Sequence, residues 1–248
     1  MKTQIIPLSE GEFTVGRDKI FRPFDLNKDE LNERSTGSLL VEVQPFAVVN
    51  ERDVLILDTG LGFSHPHHRK MLLENLGKHH IHADEVSKVL MSHLHKDHAG
   101  GLDLELFPNA IFYIYKREYE YALEVGIPSY FPDELRILEH HPRVEWLEQP
   151  YGIIDDYISY EHTGGHSKEH IVFWIASDDG LIFYGGDEAP QYKQIRIKYI
   201  AKYDYDGKRA MELRQQWAEK GAAEGWTFLF YHDVRNPIVR LPADQPGS

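Results

Sequence analysis

Four side chains that can bind a metal ion lie within six consecutive positions of this 248-residue chain, in the run His93-Leu94-His95-Lys96-Asp97-His98. On a helix, residues two apart point to nearly opposite sides, whereas at a strand end and in the loop that follows they can converge on one ion. Imidazole nitrogen together with carboxylate oxygen suits borderline metals such as zinc. The run therefore predicts a metal site in a loop that follows a β-strand.

The residues on both sides of this run agree with that placement. The preceding segment, 87–92, favours a strand, and the following Ala99-Gly100-Gly101 provides flexible backbone for close approach. Histidine is abundant, with 15 residues, so we interpret isolated pairs such as His79-His80 as ordinary surface residues. The mixture of histidine and aspartate in residues 93–98 is more specific, and we interpret it as metal binding.

Four other short motifs stand in a definite order around the histidine run. They are Asp58-Thr59-Gly60, Thr163-Gly164-Gly165-His166-Ser167, Gly185-Gly186-Asp187 and Tyr231-His232-Asp233. Together with residues 93–98, these motifs resemble the ordered signature of the metallo-β-lactamase superfamily over about residues 37–235. The resemblance implies an α/β fold: an αββα sandwich of two stacked mixed β-sheets flanked by helices, with the metals at one edge between the sheets.

The resemblance also implies a role for each motif residue. The first metal would be held by His93, His95 and His166, and the second by Asp97, His98 and His232. Asp187 would bridge the two metals, and Asp58 would orient the ligand loop from beneath. The expected cofactors are two divalent ions, zinc first, with manganese and iron as alternatives because the same nitrogen and oxygen ligands suit all three.

One position departs from the family pattern. Gly164 stands where the family usually has proline, so the loop loses a residue with a fixed φ angle but keeps Gly165 and the ligand His166. We expect a looser turn and a retained metal.

A pair of metals at this site implies hydrolysis. Two such ions can lower the pKa of a shared water from 15.7 to near neutrality, and the resulting bridging hydroxide would be the nucleophile. We predict a small ester-like substrate, with a lactone or another carboxylic ester first, and with thioester, β-lactam and phosphoester substrates as alternatives. Asp97 is either a ligand alone or also passes a proton to the leaving group.

Two other classes of function remain open within the family. Iron-dependent oxidoreductases share the fold, but the di-iron oxygen reducers carry glutamate where His95 stands, and the mononuclear dioxygenases do not rely on the site that Asp97 provides. A non-catalytic binding scaffold would have lost several ligands, whereas all seven are present here. Both comparisons favour the hydrolase.

The substrate pocket is harder to predict. Lactonases of this superfamily have a tyrosine shortly after the bridging aspartate that polarises the lactone carbonyl, and the nearest here is Tyr192, five residues after Asp187. We take Tyr192 as a candidate catalytic residue, with a surface aromatic as the alternative. Tyrosine is also concentrated in segments 113–131 and 190–200, which suggests an aromatic wall for an amphipathic substrate. Ordinary core packing is the alternative for these segments.

Composition restricts the partners and the compartment. The chain has 40 acidic and 27 basic residues, and its net charge of −13 would repel a nucleic-acid backbone. There is no cysteine, no apolar segment of signal-peptide length near residue 1, and no stretch that approaches a membrane span. We expect a cytoplasmic protein that acts on a small molecule, with no nucleic-acid or membrane partner. A homodimer stays open.

The remaining pattern predicts alternating strands and helices in a single domain over residues 1–248, because no linker divides the chain. After an irregular start, strands are predicted in both halves of the chain. Proline at position 132 indicates the start of a helix over 132–140. Asp206 is expected to cap a helix that ends near Lys220, with Gly221 just beyond its end.

Overall fold

The computed structural model describes residues 2–62 and 67–241, apart from the side chains of residues 68 and 69. The first six-stranded sheet is formed by β1 (Gln4–Pro7), β5 (Phe46–Val49), β6 (Val54–Leu57), β7 (Lys88–Leu90), β8 (Ile111–Tyr115) and β9 (Val144–Leu147), in that order. The second is formed by β10 (Tyr151–Ile154), β11 (Ile158–His162), β12 (Ile171–Ser177), β13 (Gly180–Tyr184), β14 (Thr227–Leu229) and β15 (Ile238–Arg240). A small sheet has the order β3 (Phe21–Pro23), β2 (Glu12–Val15) and β4 (Leu39–Glu42).

Both large sheets are mixed. In the first, β1, β5 and β6 are antiparallel to one another, whereas β6, β7, β8 and β9 run parallel. In the second, β13 and β14 form a parallel pair among antiparallel neighbours. The carboxyl ends of neighbouring parallel strands meet at one edge of a sheet, which is where ligand-bearing loops gather in α/β folds.

Helices cover the outer face of each sheet. They are α1 (His67–Lys78), α2 (Lys116–Val125), α3 (Pro132–Leu135), α4 (Tyr192–Arg196) and α5 (Gly207–Glu224), with 3₁₀ turns at Ala83–Glu85, Arg136–Leu138 and Gly186–Glu188. Among the described residues, none of the helices combines the length and apolar character that crossing a bilayer requires.

Side chains that alternate along the strands build three apolar layers. In β6, Leu55 and Leu57 pack in the layer between the two sheets, and Ile56 packs in the layer beneath α1 and α2. In β13, Tyr184 faces the layer between the sheets, whereas Phe183 packs against the helices of the other half. A strand with period-two side chains that are apolar on both faces is the expected element for a sheet buried on both sides. The predicted αββα sandwich is therefore confirmed.

Three predictions about local structure were wrong in detail. The amino-terminal segment predicted to be irregular contains β1, β2 and β3. The helix predicted over 132–140 is the single turn α3 followed by a 3₁₀ turn. Asp206 does cap α5, because its side chain accepts a hydrogen bond from the Arg209 N–H at 3.0 Å, but the helix continues past Gly221.

The reason for the longer helix is the contact that Gly221 makes. A Cβ atom at this position would lie 2.4 Å from the Phe228 ring, so glycine allows α5 to approach the second sheet closely. The helix ends instead at Gly225, which has the left-handed φ of 70° that closes a helix C-terminus.

Candidate metal centre

All of the predicted ligands except His166 follow the carboxyl ends of parallel strands, and His166 lies in the loop between the antiparallel strands β11 and β12. Asp58 follows β6, and residues 93–98 follow β7, the strand beside it. Asp187 follows β13, and His232 follows the neighbouring parallel strand β14. These side chains therefore meet at the same edge of the sandwich.

The first group of candidate ligands consists of His93, His95, His166 and Asp187. His95 Nδ1 lies 3.0 Å from His93 Nε2 and 3.1 Å from His166 Nε2. His166 Nε2 lies 3.2 Å from Asp187 Oδ2. Three imidazoles and a carboxylate thus surround a single small volume.

The second group consists of Asp97, His98, Asp187 and His232. Asp187 Oδ1 lies 3.2 Å from His98 Nε2 and 3.1 Å from His232 Nε2. Asp97 Oδ2 lies 3.4 Å from His232 Nε2. Asp187 belongs to both groups and directs one carboxylate oxygen to each, which is the arrangement expected of a bridging ligand.

The spacing of these donor atoms fits bound cations. Four ligands at the usual 2.0–2.2 Å from a tetrahedral zinc lie about 3.3 Å from one another. The separations in both groups are close to that value. Two imidazole lone pairs at 3.0 Å repel each other unless a proton or a cation lies between them. Buried His98 Nε2 and Asp187 Oδ1 lie 3.2 Å apart, but neither has the geometry of a hydrogen bond with the other or with another described residue, as expected of atoms aimed at a cation.

The other ring nitrogen of three candidate ligands is held by an acceptor. His98 Nδ1 lies 2.7 Å from Asp58 Oδ2, His166 Nδ1 lies 3.0 Å from Asp204 Oδ1, and His232 Nδ1 lies 2.6 Å from the Glu42 carbonyl oxygen. Each acceptor holds the proton on Nδ1, so the Nε2 lone pair points into the centre.

Asp58 lies beneath the ligand loop. Besides His98, its carboxylate accepts hydrogen bonds from the Ser92 N–H at 2.7 Å, the Ser92 hydroxyl at 2.6 Å and the Tyr184 hydroxyl at 2.5 Å. It therefore connects the end of β7 to the end of β13.

The loop that carries His166 is tightly held. Buried Glu188 accepts hydrogen bonds from the Gly165 N–H at 2.6 Å and the His166 N–H at 2.9 Å. Gly164 has a φ of 66°, which proline with its fixed φ near −65° cannot adopt. The expected looser turn is therefore wrong: glycine at this position permits a different turn that Glu188 fixes.

His170, which follows this loop, lies against the centre without belonging to either ligand group. Its Nε2 accepts a hydrogen bond from the Asp187 N–H at 3.2 Å, and its ring centroid lies 4.7 Å from that of His93. It therefore supports the backbone of the shared carboxylate.

Burial and neighbouring charges polarise the centre. Burial, reinforced by neighbouring histidines, lowers the pKa of His93 and of His95 well below the usual value. Burial opposes ionisation of Asp187, but His232 and His98 outweigh it and lower the Asp187 pKa well below its usual range. Burial alone would lower the pKa of His98, but the negative charges of Asp187 and Asp97 have the larger effect and raise this pKa to about 9. Neutral His93 and His95 and a protonated His98 therefore surround an ionised Asp187, and a bound cation would replace the His98 proton in compensating this carboxylate.

A fully buried carboxyl group connects the two loops of the first ligand group. Glu118 of α2 accepts hydrogen bonds from the Leu94 N–H at 3.0 Å, the Tyr130 hydroxyl at 3.2 Å and the Ser167 hydroxyl at 3.2 Å. Burial raises the pKa of Glu118 to about 7. Nothing in the sequence pattern indicated this residue.

We expect Glu118 to make the stability of the metal-free protein depend on pH. Because its folded-state pKa is raised, its contribution to stability is full below about pH 4.5 and is lost as the pH rises towards 7. The free energy of unfolding, measured relative to Glu118→Gln by denaturant titration, should fall through this window by up to about 1.4 kcal/mol per pH unit. If the two proteins gave parallel curves from pH 4.5 to 7, the assigned pKa would be wrong.

A cavity of about 310 Å³ opens onto both groups, and His95, Asp97, His166, Asp187 and His232 line its inner end. Its size suits part of a small molecule. Of the tyrosine-rich segment 113–131, only Ser129 lines the cavity, so the predicted aromatic wall from that segment is wrong. The cavity tyrosine is Tyr203.

The predicted Tyr192 lies elsewhere. Its ring packs against Phe230 at 5.8 Å between centroids, with the Arg196 guanidinium 5.5 Å from the ring, and it is not among the residues that line the cavity. Catalysis by Tyr192 stays a prediction without support from this geometry.

The hydroxyl of Tyr203 is oriented by a buried network. Fully buried Arg214 of α5 donates to Gln194 Oε1 and lies 3.3 Å from Asp204 Oδ2. Because arginine can only donate, the oxygen of Gln194 must face it, and the amide nitrogen faces Tyr203, where it donates to the hydroxyl at 3.2 Å. The proton of the Tyr203 hydroxyl is therefore available to another acceptor.

Comparison with known proteins places these features in a family. Residues 41–232 match the model of the family described as the metallo-beta-lactamase superfamily. A search of curated proteins gave no match.

Solved structures share the fold at low sequence identity. One is a probable metal-dependent hydrolase from Staphylococcus aureus, with a TM-score of 0.76, 20% identity, and coverage of 98% of this chain and 94% of that chain. Another is AidC, a dizinc quorum-quenching lactonase in complex with the product N-hexanoyl-L-homoserine, with a TM-score of 0.73, 18% identity, and coverage of 99% and 92%. A third is the hydrolase AbOPH of the beta lactamase superfamily, with a TM-score of 0.71, 20% identity, and coverage of 100% and 92%.

Proposed function

This chain belongs to the metallo-β-lactamase superfamily and is a metal-dependent hydrolase, and we propose that it uses two divalent metal ions to cleave a lactone or another small carboxylic ester. The observation that carries the proposal is the position of Asp187. One of its oxygens faces His166 and the other faces His98 and His232, so both groups of donors share one carboxylate. Zinc is the proposed metal, because imidazole and carboxylate ligands suit it.

The proposed ligands are the seven residues of the two groups: His93, His95, His166 and Asp187 on one side, and Asp97, His98, His232 and the same Asp187 on the other. When bound, two divalent cations supply a water of lowered pKa and attract the negative charge that develops on the substrate. The protein residues then have to position the ester, exclude bulk water and move protons.

Asp97 is suited to a second task besides binding metal. It lines the cavity, and its pKa is lowered to about 2 because the charges of His98 and His232 outweigh the effect of burial. At the cavity surface this ionised carboxylate can accept a hydrogen bond from a water and orient its proton towards the leaving oxygen, whereas its low pKa makes it a weak base on its own.

Tyr203 is proposed as the group that hydrogen-bonds the reacting carbonyl. It lines the same cavity as the ligands, and its ring centroid lies 6.0 Å from that of His166. Its hydroxyl accepts from Gln194, so its own proton is free to be donated to a substrate oxygen. A donor in place before the reaction stabilises the developing oxyanion without reorganisation.

An ester of modest size is favoured over larger substrates. The cavity of about 310 Å³ accommodates part of a small molecule, and a chain with a net charge of −13 does not attract nucleic acid. AidC, which shares the fold, is a lactonase, so lactones stand first in the proposal. Thioesters, β-lactams and phosphoesters are the substrates to compare with them.

The proposal is tested by a substrate panel assayed before and after metal removal. Purified protein is stripped with a chelator, divided, and reconstituted with zinc, manganese or ferrous iron. We expect the stripped protein to lose hydrolysis of lactones or carboxylic esters and the reconstituted protein to regain it, because the metals supply the activated water.

Two results would count against the proposal. Hydrolysis by the stripped protein at the rate of the loaded protein would remove the need for metal. Oxygen consumption by an iron-loaded, coloured protein with no hydrolysis of any ester would instead place the chain among the oxidoreductases.

A further inference from the structure

Three cations lie around the cavity in a chain that is acidic overall. Arg17, Lys19 and Lys96 line it together with an apolar wall formed by Val15, Phe21, Leu39, Val41 and Pro190. The chain as a whole has 40 acidic and only 27 basic residues. Three basic residues at one cavity are therefore more than its overall composition would lead one to expect. The cavity therefore combines the metal-facing end, an apolar wall and a basic rim.

The three cations of this basic rim are not paired with carboxylates in the part of the chain that the structure describes, although Asp97 and Asp18 lie near enough to act on the charge of Lys96. Among residues 2–62 and 67–241, none of them forms an ion pair with a carboxylate. Asp18 lies on the same turn, but it is occupied by Arg22, whose Nη2 lies 2.6 Å from Asp18 Oδ2. The cavity carboxylates Asp97 and Asp187 face the proposed metals, which would compensate their charge. The positive charge of the rim is therefore left for a ligand.

The two lysines of the rim are both connected to Ser129, Lys19 through its ammonium group and Lys96 through its backbone N–H. Lys19 has a left-handed φ of 56°, and its N–H donates to the Gly16 carbonyl at 3.0 Å while its Nζ donates to the Ser129 hydroxyl. The Ser129 carbonyl accepts from the Lys96 N–H at 2.9 Å, and Lys96 Nζ lies 6.0 Å from the Phe21 ring centroid. Residues other than glycine seldom adopt a left-handed backbone, so the conformation of this turn at Lys19 is an unusual one.

We propose that Arg17, Lys19 and Lys96 bind an anionic group, a carboxylate or a phosphate, that the ester substrate carries beside an apolar segment. The proposal rests on the proposed hydrolase function and names the substrate class of the same site. Cations beside an apolar wall attract an anion more strongly than fully hydrated ones, because part of the surrounding water is excluded. The preferred substrates are thus acidic esters, such as half-esters of dicarboxylic acids.

The test uses matched probes that differ only at the far end. A series of dicarboxylic acids of four to eight carbons is prepared as 4-nitrophenyl half-esters for turnover and as half-amides for binding. Each probe is made with a free carboxylate, with a phosphate in its place, and with a methyl ester cap. Binding of the half-amides to the zinc-loaded protein is measured by calorimetry, so it does not depend on turnover.

The variants are Lys19→Gln, the double variant Arg17→Gln/Lys19→Gln, and Lys19→Glu, with Lys198→Gln as the matched control. Lys198 is an exposed lysine that does not line the cavity. We expect the wild type to bind at least one free-acid or phosphate probe more tightly than its capped form. Lys19→Gln should reduce this preference by up to about fivefold and the double variant by about tenfold, and added salt should weaken it.

The outcomes separate this inference from the proposed function. Equal binding of charged and capped probes at every length, or no binding of the charged probes, overturns the inference while ester turnover still supports the hydrolase. A preference that survives in the double variant and in Lys19→Glu also overturns it, because the anion would then be bound by the metals. A preference that falls in the variants but not in Lys198→Gln supports the inference. If the protein shows this anion preference but hydrolyses no ester, the inference about the basic rim stands and only the proposed hydrolase function fails.

Discussion

Replacing Asp187 with alanine is expected to lower kcat/KM for the best ester of the panel by on the order of 10³-fold or more. Among the described residues, Asp187 is the one candidate ligand that belongs to both the first and the second ligand group, so its loss removes a donor from each. A bound metal contributes several kcal/mol of charge stabilisation, and each 1.4 kcal/mol is tenfold in rate. The rate is measured with the variant saturated with zinc.

A second variant distinguishes the effect of the Asp187 charge from the effect of its side-chain shape. Asp187→Asn keeps the shape of the side chain but removes the ionised oxygen, and we expect it to lose nearly as much activity. Asp178→Ala, an exposed acid in the β12–β13 turn, is the matched control and should behave like the wild type. Wild-type turnover by a correctly folded Asp187→Ala protein would show that the shared carboxylate does not act in hydrolysis.

Replacing Tyr203 with phenylalanine is expected to lower kcat by about 10²–10³-fold, the usual cost of removing one donor from a developing oxyanion. KM should change less, because the hydrogen bond strengthens as charge develops. Burial and the nearby Asp204 raise the pKa of Tyr203, so the hydroxyl remains a donor at neutral pH. The two constants are measured on the same ester with the metal content held equal.

Tyrosines close by provide the controls. Tyr205→Phe alters an exposed ring two residues away and should leave kcat within about twofold of the wild type. Tyr192→Phe tests the residue predicted from the sequence, and Tyr203→Phe tests the residue that lines the cavity. We expect the loss of kcat in Tyr203→Phe only. A large loss in Tyr192→Phe with none in Tyr203→Phe would reverse the assignment.

The parts of the site that could be predicted from sequence are those with a local pattern. Residues 93–98 indicate both metal chemistry and a loop after a strand, because only that local geometry lets the side chains converge. Asp58 was predictable for the same reason, since it ends a strand whose apolar run is visible in the sequence. The alternation of apolar residues then leads to two sheets with helices outside.

The parts that could not be predicted depend on distant contacts. Asp204 reaches His166 across 38 positions, and Glu118 reaches Leu94 across 24, and neither stands in a motif. The sequence points to Tyr192 because it is the tyrosine that follows Asp187 most closely, whereas α4 carries Tyr192 away from the cavity that Tyr203 lines. Gly164 suggests a looser turn in the sequence because the hydrogen bonds that fix this loop come from Glu188, 24 positions later.

The central claim is that two cations are held by seven side chains, and metal content measures it most directly. Elemental analysis of the zinc-reconstituted protein, after removal of loosely bound metal, should give close to two zinc ions per chain. Asp187→Ala should retain markedly less, and Asp178→Ala should match the wild type. A correctly folded wild-type protein that hydrolyses esters with no bound metal, or that holds as much zinc without Asp187 as with it, would contradict the account.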